Sequence, residues 1–428
     1  MRVLNFILIV LILPLAVLAQ DIEIFGYFEP QLMVAKIKGD FVQMSSNKLR
    51  VDLKYQPGEQ FTFGANFDYI TYHGKTKWDI LEYLPENVVN EAGQISFFGY
   101  EINPYLYPYE NRQFLDNAYL KISFKRADVT IGKQQISLGT GYVWNPTDVF
   151  NKKEIIDPTY EQPGHNAFRL DVPIKGNWGF TALYAPTDDW KYSDLLIKLQ
   201  GNLLHFDFSI LGIQKNWNFT DARIFDFINM NFYQLNTKRH ILGADFAGEI
   251  LGIGVWGEYA RNRIKIDNDI WNDYLTHFNQ FYFQSGGEVP QLMSIKKDYQ
   301  EWVVGFDYTF DFQTYVMCEF YRNTFAKADE HQYNFNDWMH YFLAETKTIT
   351  QNQLYLFIQH PLTDLINIGC SGIYSMSDGS AGMVPMITYN IFENVDLTAI
   401  GNYFFGKQGT AYAENLGNGG IIRARVYF

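Results

Sequence analysis

The chain has 428 residues, of which 47% are hydrophobic and 18% aromatic, with 30 Tyr and 36 Phe. Its mean hydropathy is only −0.18. A net charge of −13 is unsuited to nucleic acid, which rewards a basic surface, and beyond the first 19 residues no run of ~18 apolar residues could form a spanning helix. The apolar residues are instead dealt out singly, in alternation with polar ones, along the whole chain.

Residues 1–19 read as a cleaved export leader: Arg2 supplies the positive end, Phe6 to Leu18 an apolar stretch broken only by Pro14, and Val17 and Ala19 the small residues before the cut. No Cys follows, so a lipid anchor is not expected, and the exported chain, 20–428, begins near Gln20 as one barrel domain. Residues 61–69 then set the pattern. Phe61, Phe63, Ala65, Phe67 and Tyr69 share one face; Thr62, Gly64, Asn66 and Asp68 take the other. Period 2 of this kind belongs to a strand between two different solvents. It returns in 204–210, where Leu204, Phe206, Phe208 and Ile210 oppose His205, Asp207 and Ser209, and again in 302–310.

Such segments fall near 22–36, 47–56, 61–73, 118–126, 129–139, 166–175, 179–186, 192–200, 203–217, 240–250, 253–266, 299–309, 312–325, 350–362, 365–376, 381–392, 395–406 and 419–428. Short turns at 57–60, 127–128, 176–178, 201–202, 251–252, 310–311, 363–364 and 393–394 alternate with longer links, notably 74–117, 140–165, 218–239, 267–298 and 326–349. The pattern predicts an all-β chain: a transmembrane antiparallel up-and-down β-barrel of about 18 strands, with 16 the fallback. Short turns face the periplasm and long loops the exterior. Many of these strands are longer than the 5–6 residues usual in a soluble sandwich.

The last strand ends Ile422-Arg423-Ala424-Arg425-Val426-Tyr427-Phe428, with Ile422, Ala424, Val426 and Phe428 outward. It resembles the C-terminal signal of the Gram-negative outer-membrane β-barrel superfamily. That resemblance implies outer-membrane localisation and recognition of Phe428 by the barrel-assembly machinery. Within 131–172, Ile131-Gly132-Lys133-Gln134, Ile136 and Gly139 lead to Asn145-Pro146-Thr147-Asp148 and a returning strand with Arg169. This resembles a porin-like group in which a Gly-x-Gln strand enters an Asn-Pro-x-Asp loop, although Leu138-Gly139 stands where that group often has Trp-Gly. Asn145-Pro146 opens a turn that Thr147 or Asp148 can cap.

By alternation, the candidate pore-lining basic residues are Arg50, Lys54, Lys121, Lys125, Arg169, Arg423 and Arg425. The candidate acidic ones are Asp194, Asp207, Asp245, Glu249, Glu258, Asp307 and Glu319. The two sets fall on opposite walls, with Asp52, Asp68 and Asp171 on the basic side and Lys198 on the acidic one. Either the walls face each other as rows of opposed charge, or the charges form local Arg–Asp pairs that hydrate the interior. Aromatic loops at 97–109 and 267–298 are too apolar to lie free in water. They pack on other loops, constrict the pore or grip a sugar.

Asp267, Asp269 and Asp273 have oxygen-ligand spacing but no glycine turn and no closing Glu, so no calcium loop is expected. His331 and His340 lie in an acidic loop without a compelling ligand set, and no metal or cofactor is anticipated. His205 and Asp207 share a face near the periplasmic end; no catalytic site and no enzyme is expected. Cys318 and Cys370 fall on the lipid faces of strands that are not neighbours, so they remain unbridged. The expected function is a porin or substrate-biased diffusion channel for small polar or charged solutes. The alternative is a surface-binding or assembly barrel that engages polysaccharide or a partner protein through its long aromatic loops. Partners on either reading are outer-membrane lipid and lipopolysaccharide, which acidic loops would bridge through divalent cations, and a homotrimer is compatible with both.

Overall fold

The computed structural model of the chain describes residues 22–90, 95–97, 100–151, 162–226, 229–284 and 292–428; the expected leader lies outside them. Eighteen strands make one sheet: β1 (Ile22–Ile37), β2 (Asp40–Tyr55), β3 (Phe61–Gly74), β4 (Arg112–Phe124), β5 (Ala127–Gln134), β6 (His165–Ile174), β7 (Trp178–Ala185), β8 (Asp194–Leu203), β9 (Phe206–Asp226), β10 (Asn231–Ile250), β11 (Ile253–Lys265), β12 (Asp298–Thr309), β13 (Tyr315–Asn323), β14 (Asn352–Pro361), β15 (Ile366–Ser375), β16 (Ala381–Phe392), β17 (Val395–Phe405) and β18 (Asn418–Tyr427). Each pairs antiparallel with its chain neighbours, and β18 pairs with β1. The sheet is a closed antiparallel barrel. At its seam the Gly26 N–H donates to the Phe428 carbonyl at 3.0 Å and the Phe428 N–H returns to the Gly26 carbonyl at 3.1 Å.

The outer face is apolar because every second residue is. Ile197, Ile210 and Leu242, on consecutive strands, are 59%, 59% and 68% exposed. No monomer keeps such a belt in water; it is the surface of a barrel in lipid. Ile422, Val426 and Phe428 are exposed on it, and Cys318 and Cys370 are both free, on β13 and β15. No described helix is long and apolar enough to cross a membrane.

All eight turns at the end that holds both termini are short, from the two residues 125–126, 204–205, 251–252 and 393–394 to the five at 56–60. Leu251 and Gly252 have φ of 52° and 82°, the left-handed pair that matches hairpin twist. Leu204 and His205, at 53° and 69°, do the same. His205 is therefore a turn residue and not an interior neighbour of Asp207, and the alternation predicted from Leu204 begins only at Phe206.

The opposite end departs from expectation in four places. The link 38–39 is as short as any turn, because β2 starts at Asp40, seven residues before its apolar pattern begins. β4 starts at Arg112, because a bulge puts Asp116 and Asn117 both inside and breaks the period. β5 stops at Gln134, although Ile136 and Leu138 continue its alternation off the sheet. Residues 218–239, expected as a link, mostly extend β9 and β10 into a long hairpin with Phe219, Ala222, Phe232 and Leu235 buried.

Two loop helices of eight residues or more among the described residues were also not foreseen. In α1 (Asn268–Gln284), Ile270, Trp271, Tyr274 and Phe278 recur at helical spacing, and Tyr274 and Phe278 are buried against Trp217, Tyr233 and Leu235. In α2 (Phe335–Phe342), Asn334 and Asp337 form a reciprocal capping box, and Phe335, Trp338 and Met339 are fully buried.

Candidate functional site

Many long-range contacts converge on residues 135–151, which fold inward across the lumen after β5. Ile136, Leu138 and Phe150 pack against Leu183, Leu196, Leu211 and Ile241 on the inner wall of β7 to β10. On the other side Trp144 stacks flat on Tyr321 of β13, with centroids 5.1 Å apart and planes 9° apart, and meets Tyr355 edge-on at 6.3 Å. The loop is thus wedged between two parts of the wall, with apolar contact on both sides.

Two wall carboxylates hold its backbone. Glu258 of β11, 3% exposed, accepts the N–H groups of Thr140 at 3.0 Å, Gly141 at 3.4 Å and Thr147 at 2.5 Å. Glu319 of β13, fully buried, accepts those of Tyr142 at 2.5 Å and Val143 at 2.8 Å, and the Trp256 indole N–H at 2.8 Å. A loop without secondary structure leaves N–H groups unpaired, and buried carboxylates need donors; each satisfies the other. Gly139 makes the approach feasible. Its φ is +79°, and a Cβ there would lie 2.2 Å from the Glu258 carboxylate. The turn opened by Asn145-Pro146 is closed by the Asp148 N–H on the Asn145 carbonyl at 3.2 Å, and the Asp148 carboxylate caps the next turn, accepting the N–H groups of Phe150 and Asn151, both at 3.1 Å. Burial pushes the Asp148 carboxyl above its ordinary range.

A second inward segment, 335–349, closes over the first. The Lys347 ammonium donates to the carbonyls of Asn145 and of Pro146, the latter at 3.0 Å. Glu345 accepts the Thr220 N–H at 3.0 Å and its hydroxyl. The His340 Nε2 lies 2.6 Å from the Thr220 carbonyl. Burial pushes the Glu345 carboxyl up to about 7 and the His340 imidazole down to about 4. Leu84, Val88, Tyr105, Phe335, Trp338, Tyr412 and Trp144 join Trp256, Val303, Met317 and Ile373 of the wall in one apolar cluster. Of the loop aromatics, Tyr105, Tyr274 and Phe278 turn inward and pack, whereas Tyr107 and Tyr109 stay exposed.

The basic candidates do not form a free row. Arg50 meets Asp52 at 2.9 Å, Asp116 at 3.1 Å and Asp68 at 3.7 Å. Lys54 meets Glu23 at 3.4 Å, Lys121 meets Asp128 at 2.8 Å, and Arg169 meets Asp171 at 2.8 Å. Arg425 and Arg423 share Glu29, at 2.6 and 3.8 Å. Lys125 sits exposed in the turn 125–126, not on a strand face. Of the acidic candidates, Asp194 pairs with Lys215, Asp245 takes the Ser209 hydroxyl and Asp307 the Tyr315 hydroxyl at 2.8 Å. Asp207 takes the Asn202 amide at 2.9 Å beside the short turn, and Glu249 is exposed near the next one. Local ion pairs take up most of the basic candidates, whereas of the acidic ones only Asp194 is in such a pair.

Asp267 and Asp273 do not converge: one pairs with Lys191 at 3.0 Å, the other takes the Tyr233 hydroxyl at 2.7 Å. Sequence reading missed Trp144, Arg239, Glu301, Glu345 and Lys347. Arg239 was hidden because 218–239 read as a link; on β10 it has the same parity as Ile241 and Asp245. Between the two inward segments and the wall lies a cavity of about 220 Å³, lined among others by Lys215, Arg239, Glu301, Glu345 and Lys347.

No protein-family model and no curated relative matches this sequence. Solved structures do match in fold. OccAB4 of Acinetobacter baumannii superposes with a TM-score of 0.50 at 9% identity, over 95% of this chain and 97% of that one. The in-vitro folded OmpT of Vibrio cholerae, in its trimer form, gives 0.45 at 9%, over 95% and 99%. A triple mutant of the Rh. blastica porin gives 0.42 at 12%, over 95% and 100%. At such identities the likeness is one of fold alone: a closed antiparallel β-barrel, as in OccAB4.

Proposed function

We propose that this barrel is a substrate-biased diffusion channel, passing small polar or charged solutes through a lumen that its own loop narrows. The observation that carries the reading is the seating of residues 135–151 inside the barrel on Glu258 and Glu319. A barrel of 16–18 strands otherwise leaves an aqueous channel, so an obstruction fastened to its wall sets what can pass. The paired charges Lys54–Glu23, Lys121–Asp128 and Arg169–Asp171 supply hydrated, nearly neutral lining below that obstruction. In this reading Phe428 serves as the assembly signal and the leader is removed on export.

The test is single-channel recording of the purified barrel in a planar bilayer. A small, steady current is expected, rising when the 135–151 segment is shortened. A wild-type barrel that carries no steady current overturns the channel and favours a surface-binding barrel. The inward packing of Tyr105, Tyr274, Phe335 and Trp338 speaks against that alternative, because it removes those rings from display.

A further inference from the structure

On the outside of the barrel, one sector carries a basic patch directly above the apolar belt. Along β10 and β11 the residues Arg239, Ile241, Asn262 and Ile264 are buried inside, so alternation turns Lys238, His240, Arg261, Arg263 and Lys265 outward. The register sets Lys265 opposite Lys238, Arg263 opposite His240 and Arg261 opposite Leu242. At the same end of the barrel, the outward residues of β16 and β17 are instead Met383, Tyr403 and Phe405, all exposed.

The patch lies at the end away from both termini. From Ile253 to Arg263, β11 runs ~33 Å along its axis, about 25 Å of height at a ~40° tilt, which is the height of the apolar band in such barrels. The cations of β11 therefore bracket the edge of the belt, where lipid headgroups begin.

Like charges directly opposite on one face of an antiparallel pair are destabilising. The chain offsets this only in part. Asp298 is shared by Arg261 at 2.9 Å and Arg263 at 3.4 Å, and Asp267 by Lys191 at 3.0 Å and Lys265 at 3.7 Å. Among the described residues no carboxylate pairs with Lys238, whose ammonium lies 5.4 Å from the Tyr192 ring centre. The side chains of Arg263 and Lys265 stay 69% and 67% exposed. In a chain of net charge −13, this local excess of positive charge fits an anion. Leu242 and Val304, both exposed beneath it, fit that anion's hydrocarbon.

We propose that this face docks a phosphorylated lipid of the surrounding leaflet, with its phosphates on Lys238, Arg261, Arg263 and Lys265 and its acyl chains on Leu242 and Val304. Arginine forks and lysine point charges both suit phosphate. The contact is direct and needs no divalent cation, unlike one made through acidic loops. It is independent of what passes through the lumen.

The experiment uses the full-length barrel in dodecyl maltoside micelles with EDTA present. The probes are diphosphoryl lipid A, monophosphoryl lipid A and phosphatidylcholine, titrated in turn and counted on the barrel by native mass spectrometry. Diphosphoryl lipid A should bind tightest and phosphatidylcholine weakest. The triple change Arg261→Gln, Arg263→Gln and Lys265→Gln should weaken diphosphoryl lipid A binding by roughly a hundredfold, at about fivefold per cation removed from an anionic lipid. Arg263→Gln alone should weaken it by about fivefold, which keeps the test open if the triple variant does not fold. Heat-modifiable migration on gels shows which variants are folded. Lys36→Gln, on the opposite wall in β1, should leave binding unchanged. Equal retention of phosphatidylcholine, undiminished binding in the folded variants or an equal loss in Lys36→Gln overturns the site. Binding that appears only when EDTA is replaced by magnesium assigns the contact to acidic loops and overturns it too. So does a wild-type barrel that retains no lipid but associates with further copies through these residues. Bilayer recording keeps the two readings apart: a barrel without current that still binds the lipid removes the channel alone, and steady current without lipid binding removes this inference alone.

Discussion

The interior of this barrel buries charge in two different ways on its two sides. Along β1 to β6 and β18, each cation meets a carboxylate of the same or an adjacent strand, as Arg50 does with Asp52 and Arg425 with Glu29. That wall is complete in itself. Along β9 to β14 the interior carries Trp256, Val303, Tyr321 and Tyr355, and two carboxylates among them, Glu258 and Glu319, take backbone N–H groups from a segment folded in from far along the chain. That wall is complete only with its loops. An interior acid can thus be half of an ion pair or an anchor for backbone, and the alternation that places it inside does not say which.

Removing one partner on the self-sufficient side should have the largest effect on stability. Arg50→Met leaves Asp52, Asp68 and Asp116 facing one another without their shared cation. Breaking a buried pair in this way costs about 3–5 kcal/mol. The loss is read as a lower unfolding midpoint in denaturant. A loss below about 1 kcal/mol would show that water already screens this cluster as it does a surface pair.

The loop-dependent side should respond in conductance before stability. Replacing Glu258 and Glu319 with Gln keeps their shape but turns charged hydrogen bonds into neutral ones, each of the charged kind contributing about 1.5–3 kcal/mol. The segment 135–151 should leave its seat and single-channel conductance should rise. Conductance equal to wild type would mean that the apolar wedge of Trp144, Ile136 and Leu138 suffices without the anchors.

Much of this was legible from the residues alone. Strands such as 61–73 and 203–217 declare themselves because lipid and lumen impose opposite demands on alternate residues. Legibility fails where that rule is suspended. The bulge at Asp116 and Asn117 turns two successive side chains inward, and Ile136 and Leu138 keep the period after the backbone has left the sheet. The site was half visible. Glu258 and Glu319 are readable as interior acids, but their partners Thr147 and Tyr142 lie 111 and 177 residues away, a separation over which local periodicity carries no information. The helices were missed because 3–4 spacing in α1 lay inside a stretch whose aromatic content was read in bulk.

Acidity offers a smaller test of the loop-dependent side. Glu345 is pushed up to about 7 from an ordinary 4.5, so between those values the folded protein keeps a proton that the unfolded chain sheds. Its share of stability is complete below pH 4.5 and is lost as pH rises through about 7. His340, pushed down to about 4 from 6.5, has the opposite slope, losing stability as pH falls over that window. The two nearly cancel between 4.5 and 6.5. Glu345→Gln should remove the first term, so the difference between wild-type and variant stability falls with rising pH between 4.5 and 7. Parallel melting curves across that range would mean that Glu345 is hydrated in solution.

The smallest effect is expected from Arg423 and Arg425. Changing both to Ser removes two cations and leaves Glu29 uncompensated, so the zero-current potential across a salt gradient should move modestly towards cation preference. With salt at ~0.1 M screening over about 10 Å, the shift should shrink as salt is raised. No shift at low salt would place this cluster away from the conducting path.

The seam between β1 and β18 joins Gly26 to Phe428 by paired backbone bonds, and the side-chain bond from Arg425 to Glu29 beside it spans 396 residues of chain. Its consequence is kinetic. Contacts of such separation demand that almost the entire polypeptide be present before they can form, and loop-closure entropy makes them late and slow. The chain therefore cannot mature progressively as it emerges. Until its last residue arrives, both sheet edges stay unsatisfied, and whatever escorts the protein to the membrane must protect two open edges for the whole of that interval.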